Sequence, residues 1–295
     1  MGSFPLHFTP LAKFILALLL NYAPAGKSTE SFEAMPECGA DPEAATCELE
    51  RVCSTRGPLC AAPRWSKARS AWVRVETRES GAVRRAHAAI ALTRAVTWLK
   101  RCKDSSGAVV EECKPVHWPQ GALSLAMAGL SSSIWESGYR EDIMEGHAPL
   151  GRGSDGEVCV MQVRPEYVAQ YADWQPALPP DQMTQEDWAQ EVLGSDVESL
   201  ERCFRVGLRI MARMRGAAKR RCPGDLVYGM YAFYGNGRSC NGKTVELGDY
   251  ARLRANSFSK FMSKWPRGVS IPDWAVPMFG QIAGSDQGIG HRRPR

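Results

Sequence analysis

Residues 123–140, LSLAMAGLSSSIWESGYR, decide how the chain is read. Leu123, Met127, Leu130 and Ile134 recur at i, i+4, i+7 and i+11, the spacing that lays one apolar stripe along a helix. Gly138 supplies the stop, because glycine takes left-handed backbone without steric cost. Between stripe and stop stands Glu136. It follows Ile134 by two positions, so on a helical wheel it turns off the stripe and toward whatever lies past the helix end. In bulk water such a carboxylate is ordinary. In a cleft walled by Trp135 and later aromatics, desolvation raises its pKa and keeps a proton on it near neutral pH. A group in that state can protonate a leaving oxygen.

Downstream, GHAPLGRGSDGEV (146–158) is glycine-rich and turn-forming, and VCVMQV (158–163) reads as a short strand. The glycine cluster has neither the Lys-Ser/Thr ending nor the strand-glycine-helix order of a nucleotide loop, so no nucleotide is expected there. TQEDWAQEVL (184–193) is a short helix. SDVE (195–198) is a capping box opening a longer helix, with Leu200, Phe204, Leu208 and Met211 on one face. Its methionines suit core packing and call for no cofactor. LVYGMYAFYGNGRSC (226–240) is apolar and aromatic and ends in a Gly-Asn-Gly turn. No internal repeat is present.

The chain has 295 residues, 44% hydrophobic and 23% charged, enough for one large domain or two small ones with a sizeable core. A formal charge of +5 fits either a solvated surface or an anionic polymer partner. At the N-terminus, residues 1–13 carry one lysine and no acid, FILALLL (14–20) is a short apolar run, and APA (23–25) offers small residues. That layout predicts a secretory signal over 1–25, and the run is short for a stable membrane span. An uncleaved anchor or a first buried helix is the alternative.

Ten cysteines, with no Cys-x-x-Cys pair and few histidines, point to disulfides in an oxidising compartment and to no metal. Proximity suggests two bridges within 38–60, then Cys102–Cys113, Cys203–Cys222 and Cys159–Cys240. The predicted organisation is a Cys-rich, loop-rich leader over 26–64 and an Ala-rich helical segment over 65–117. A compact domain over 118–280 and a basic disordered tail over 281–295 complete it. The basic residues of AVRRAHAAIALTRAVTWLKR (82–101) read as a solvated helix face, and His87, His117 and His147 as packed or surface residues.

Glu136-Ser137 closing an apolar helix, Val160-Met161-Gln162 after a glycine-rich turn, the helix carrying FRVGLRIM (204–211) and the turn Tyr234-Gly-Asn-Gly237 come in one order. That series resembles the lytic transglycosylases with a lysozyme-like fold, over about residues 118–245. Two departures stand out: Cys159-Val160 replaces the usual Gly-Leu, and Asn236 is displaced by one position. The resemblance implies a mostly α fold with a small β element (α+β) and no cofactor or metal. The substrate it implies is peptidoglycan glycan strands, with no nucleic acid and an exported, periplasmic or secreted location.

The implied reaction cleaves the bond between N-acetylmuramic acid and N-acetylglucosamine, with Glu136 as acid and then base. Ser137 would support Glu136, Gln162 would bond the sugar and Met161 would pack beneath. Tyr234 would steady the glutamate or the developing charge by its hydroxyl, and Asn236 would bind substrate from the turn opposite. A lysozyme-type hydrolase would add a second carboxylate from Asp142, Glu145, Asp155 or Glu157. A wall-binding protein would keep the groove without turnover.

Overall fold

A computed structural model describes residues 8–22, 30–31, 62–66, 71–75, 78–102, 113, 115–146, 153, 155–235 and 245–283. Most of the leader, the tail past 283 and Asn236 lie outside the described residues. The fold is mostly helical, as expected. Its helices are α1 (Pro10–Tyr22), α2 (Arg78–Arg101), α3 (Gly121–Glu136), α4 (Glu141–Met144), α5 (Pro165–Tyr171), α6 (Gln185–Gln190), α7 (Val197–Arg221), α8 (Leu226–Tyr234), α9 (Val245–Lys264) and α10 (Val276–Ala283).

Helix α3 is the centre of the core. Its small residues let neighbours close on it from several sides: Ser124 through Ser133 are all buried, while Leu123 and Ile134 are half-buried. At Gly129 a β-carbon would lie 2.9 Å from Leu208 of α7 and 3.2 Å from Leu92 of α2, so both helices press on α3 there. Most of the buried hydroxyls are satisfied, Ser132 Oγ being the exception without a partner among the described residues. Ser133 donates to the Gly129 carbonyl at 2.9 Å, and Ser131 pairs with the Tyr231 hydroxyl at 2.8 Å. Gly138 ends the helix as expected, at φ +58 with its N–H on the Ile134 carbonyl.

Two of the basic residues of α2 depart from the expected solvated face, while Arg94 and Arg101 are exposed as expected. Arg84 and Arg85 are fully buried, and Arg85 donates to the Gly81 carbonyl at 2.9 Å and to the Gly138 carbonyl at 3.2 Å. A guanidinium is worth burying there because carbonyls at the end of α3 lack helical partners. His87 is a packing residue, donating from Nδ1 to the Ser195 carbonyl at 3.0 Å.

Helix α6 has its capping box between Thr184 and Asp187. The cap of α7 falls one residue later than SDVE suggests. Asp196 accepts from the Glu198 and Ser199 N–H groups, while Ser195 donates instead to Glu145 at 2.8 Å. The face Leu200, Phe204, Leu208 and Met211 is buried as expected.

The apolar run at the N-terminus is α1, and it lies in the core against α2 and α3. Phe14 meets the edge of Trp265 at 4.8 Å, and Asn21 donates to the Ser270 carbonyl at 3.0 Å. Among the described residues no helix is long and apolar enough to cross a membrane.

The β structure is not where the sequence put it. SAWVRV, expected in a helical segment, supplies β3 (Ala71–Val75) at the middle of an antiparallel sheet ordered β1 (Glu30–Ser31), β3, β2 (Ala62–Ser66). Its Trp and Val residues favour a pleated surface over a helix. VCVMQV, expected as a strand, is a tight turn closed by one bridge between Val158 and Val163. Cys159 and Gln162 sit at φ +61 and +47, which no strand accommodates.

Two disulfides follow from this packing. Cys102–Cys113 is as expected, whereas Cys159 bonds Cys203 rather than Cys240, and Cys203 is therefore not the partner of Cys222. Cys222 is itself disulfide-bonded. Sequence proximity misplaces Cys159 because the turn that carries it lies on the first half of α7. Beside that bridge, Met161 fills the notch at Gly207, where a β-carbon would stand 2.7 Å from Met161 Cε and 2.9 Å from its Cβ. Gly207→Ala is expected to lower unfolding free energy by about 1–3 kcal/mol through overpacking. Denaturant titration checks this, and an unchanged midpoint means the turn yields freely.

Candidate active site

A cleft of about 380 Å³ opens where α3 ends, between the Val158–Val163 turn, the end of α8 and the middle of α9. Glu136 is the last residue of α3, and its side chain is 16% exposed at the cleft wall. One carboxylate oxygen lies 2.6 Å from Nη2 of Arg254, whose own side chain is 8% exposed. Burial pushes the Glu136 carboxyl above the ordinary glutamate range, and nearby Glu157 adds to the rise while Arg254 opposes it. The desolvated carboxyl foreseen from the sequence is present, with a cation against it that the sequence reading did not foresee.

The turn facing Glu136 is locked three ways. Val158 and Val163 exchange backbone hydrogen bonds at 2.9 and 3.0 Å, Cys159 is tied to Cys203, and Met161 is wholly buried against α7. Met161 thus packs beneath the cleft. Gln162 lines the cleft, with Nε2 donating to the Cys159 carbonyl at 3.0 Å. That bond must exchange before the amide can donate to a sugar.

Tyr234, the last residue of α8, donates its hydroxyl to the Met161 carbonyl at 2.7 Å. Burial first, and then the charge of Glu136, pushes its phenol well above the ordinary tyrosine range, so it stays a donor. Gly235 follows, and a β-carbon there would lie 2.9 Å from Nη1 of Arg254. Glycine at this position leaves room for the guanidinium.

Ser137 is buried at the helix end, donating to the Ser133 carbonyl at 2.9 Å and accepting from the Tyr139 N–H at 3.1 Å. It acts on Glu136 through the backbone that it holds. Of the acids considered as a second carboxylate, Glu157 lines the cleft and accepts from the Asp155 N–H at 3.0 Å. Asp155 is paired to Arg164 on the exposed side, Glu145 accepts from Ser195, and the Asp142 side chain is outside the described residues. Asn236 is outside them as well.

The sequence reading missed Arg254, and a signal for it existed. Ala251, Arg254, Ala255 and Phe258 share one helical face, and all four are buried. A charge on such a stripe needs a partner, and Glu136 provides it. The cleft rim is aromatic: Trp135 and Tyr250 are exposed large rings lining it, and Trp135 is pinned by an Nε1–H bond to Ser257 of α9 at 2.9 Å. Among the described residues no group of three or more His, Cys, Asp or Glu is placed to hold a metal ion. No protein-family model, characterised protein or solved structure matches the chain.

Proposed function

We propose that this cleft cleaves the β-1,4 bond between N-acetylmuramic acid and N-acetylglucosamine in peptidoglycan, as a lytic transglycosylase with a lysozyme-like fold. The observation that carries the reading is the desolvated Glu136 carboxyl at the buried end of α3, facing the Met161-Gln162 turn and Tyr234 across one cleft. Glu136 gives its proton to the glycosidic oxygen as the carbon–oxygen bond breaks. The substrate's acetamido group supports the positive sugar, so no enzyme nucleophile is required. Ionised Glu136 then takes the proton of the muramoyl 6-hydroxyl, whose oxygen closes a 1,6-anhydro ring. Ring closure thus returns to Glu136 the proton that it gave.

The remaining residues divide the work. The rings of Trp135 and Tyr250 suit the apolar faces of pyranoses. Tyr234 holds the turn and presents a neutral phenol beside Glu136, and Gln162 offers its amide. The disulfides Cys102–Cys113 and Cys159–Cys203 support an oxidising, exported setting.

Glu157 favours a second reading, a lysozyme-type hydrolase. Its carboxylate shares the cleft and bears on the Glu136 charge. An inverting hydrolase would place the two carboxyls about 6.5–9.5 Å apart with a water between them. Digestion of purified sacculi followed by mass spectrometry separates the readings. Products ending in 1,6-anhydromuramic acid are expected. Reducing ends in their place would establish the hydrolase, and binding without release of fragments would leave a wall-binding protein.

A further inference from the structure

We infer that Arg254 holds Glu136 as a carboxylate in the empty cleft, and that this ion pair parts when glycan enters, which is the step that arms Glu136 as an acid. The inference rests on the reaction proposed above. It answers a conflict within the site: a guanidinium 2.6 Å away favours the ionised glutamate, yet the first chemical step needs a proton on it.

The geometry makes parting feasible. The two side chains come from separate elements, the end of α3 and the middle of α9. The ion pair brings Oε1 of Glu136 to Nη2 of Arg254. Arg254 Nε is buried with no hydrogen-bond partner among the described residues, so the guanidinium is incompletely satisfied where it stands. Trp135 and Tyr250 frame the cleft that a sugar would occupy next to the pair.

Charged and titratable groups face Glu136 from several of the elements packed around it. Arg254 comes from α9, Glu157 from the loop before the turn and Tyr234 from α8, and Arg164, Tyr167 and Tyr250 also line the cleft. Arg164 is ion-paired with Asp155, Glu157 and Glu166. With Arg254 withdrawn, burial and Glu157 both favour the protonated carboxyl. One proton from solvent then adds to Glu136 as the sugar displaces water. Arg254 is in this sense a positioning residue, acting through Glu136 and not on the reacting bond.

Two measurements on the full protein test this. In the free protein, carbon NMR titration of the Glu136 carboxyl is expected to move up by about 1–3 pH units in Arg254→Met, the size of an opposite-charge neighbour's influence. Arg254→Lys keeps the wild-type titration, and Arg254→Gln serves if the methionine variant does not fold. In kinetics on glycan strands, the alkaline limb of kcat/KM, which reports the free enzyme, moves up in Arg254→Met. The limb of kcat, which reports the complex, stays in place. A Glu136 titration unmoved by Arg254→Met overturns the inference with the reaction intact, and equal movement of both limbs overturns it because the pair then persists in the complex. Wild-type protein inactive on peptidoglycan removes the reaction itself, whatever the titration shows.

Discussion

Glu136→Gln is expected to lose about 10²–10⁴-fold in release of soluble fragments from peptidoglycan, the usual worth of a positioned acid–base group. The amide matches the carboxylate in shape and can still accept from Arg254, but it can neither give a proton to the glycosidic oxygen nor take one from the 6-hydroxyl. Glycan binding should persist, since the aromatic rim and the Val158–Val163 turn are untouched. Equal activity in variant and wild type would remove Glu136 from the mechanism.

The same substitution has a signed effect on stability. A carboxyl whose folded pKa lies above the ordinary 4.5 binds its proton more tightly in the folded state. Its favourable contribution is therefore full below the unfolded value and is lost as pH rises through the folded one. The stability of wild type relative to Glu136→Gln should fall from acid toward neutral pH, as followed by denaturant midpoints. A difference that is flat or rises over that window would contradict the burial of this group.

Asp173→Ala is the substitution expected to cost most in folding, about 3–5 kcal/mol. Asp173 is 15% exposed and accepts from Trp98 Nε1 at 2.6 Å, Arg209 at 2.6 Å and Arg205 at 3.3 Å. The Arg205 guanidinium also stacks 3.8 Å from the Trp98 ring centre. One carboxylate thus joins the C-terminal half of α2 to α7, and its loss leaves half-buried cations facing each other and an indole N–H without its acceptor. Arg205 keeps Glu201. Replacing both ends of one pair, as in Asp173→Leu with Arg209→Met, should cost less than Asp173→Ala alone, because one fewer cation loses its carboxylate. Denaturant unfolding of the three proteins measures it, and a loss under about 1 kcal/mol for Asp173→Ala would mark the cluster as solvent-screened surface pairing.

Much of the site was legible in residues 123–140. The stop at Gly138 and the glutamate at the helix end depend on one glycine's backbone, a local property. The single apolar stripe did not hold: Ser124 through Ser133 are buried on every side, and Leu123 and Ile134 only half so. The capping box of α6 and the Cys102–Cys113 bridge are local in the same sense. Where the reading slipped, a distant surface had changed the local preference. VCVMQV has strand composition, but Cys203 and the notch at Gly207 hold it on α7 as a turn with two left-handed residues. Arg84 and Arg85 look solvated in a one-dimensional pattern, yet both pack inward, Arg85 where carbonyls await donors and Arg84 toward the Ser80 hydroxyl.

Sequence by itself therefore determined that the chain is mostly helical, that a glutamate closes a buried helix, and that aromatic and turn-forming segments come after it in order. These depend on interactions spanning three or four residues, whose period survives in any context. Only the tertiary structure decided which charge meets Glu136. Arg254 lies far along the chain, and its pairing arises from how α3 and α9 cross, which no local spacing encodes. Burial makes that choice consequential: in water the same two groups would be screened, whereas at the wall of a desolvated cleft they set each other's charge.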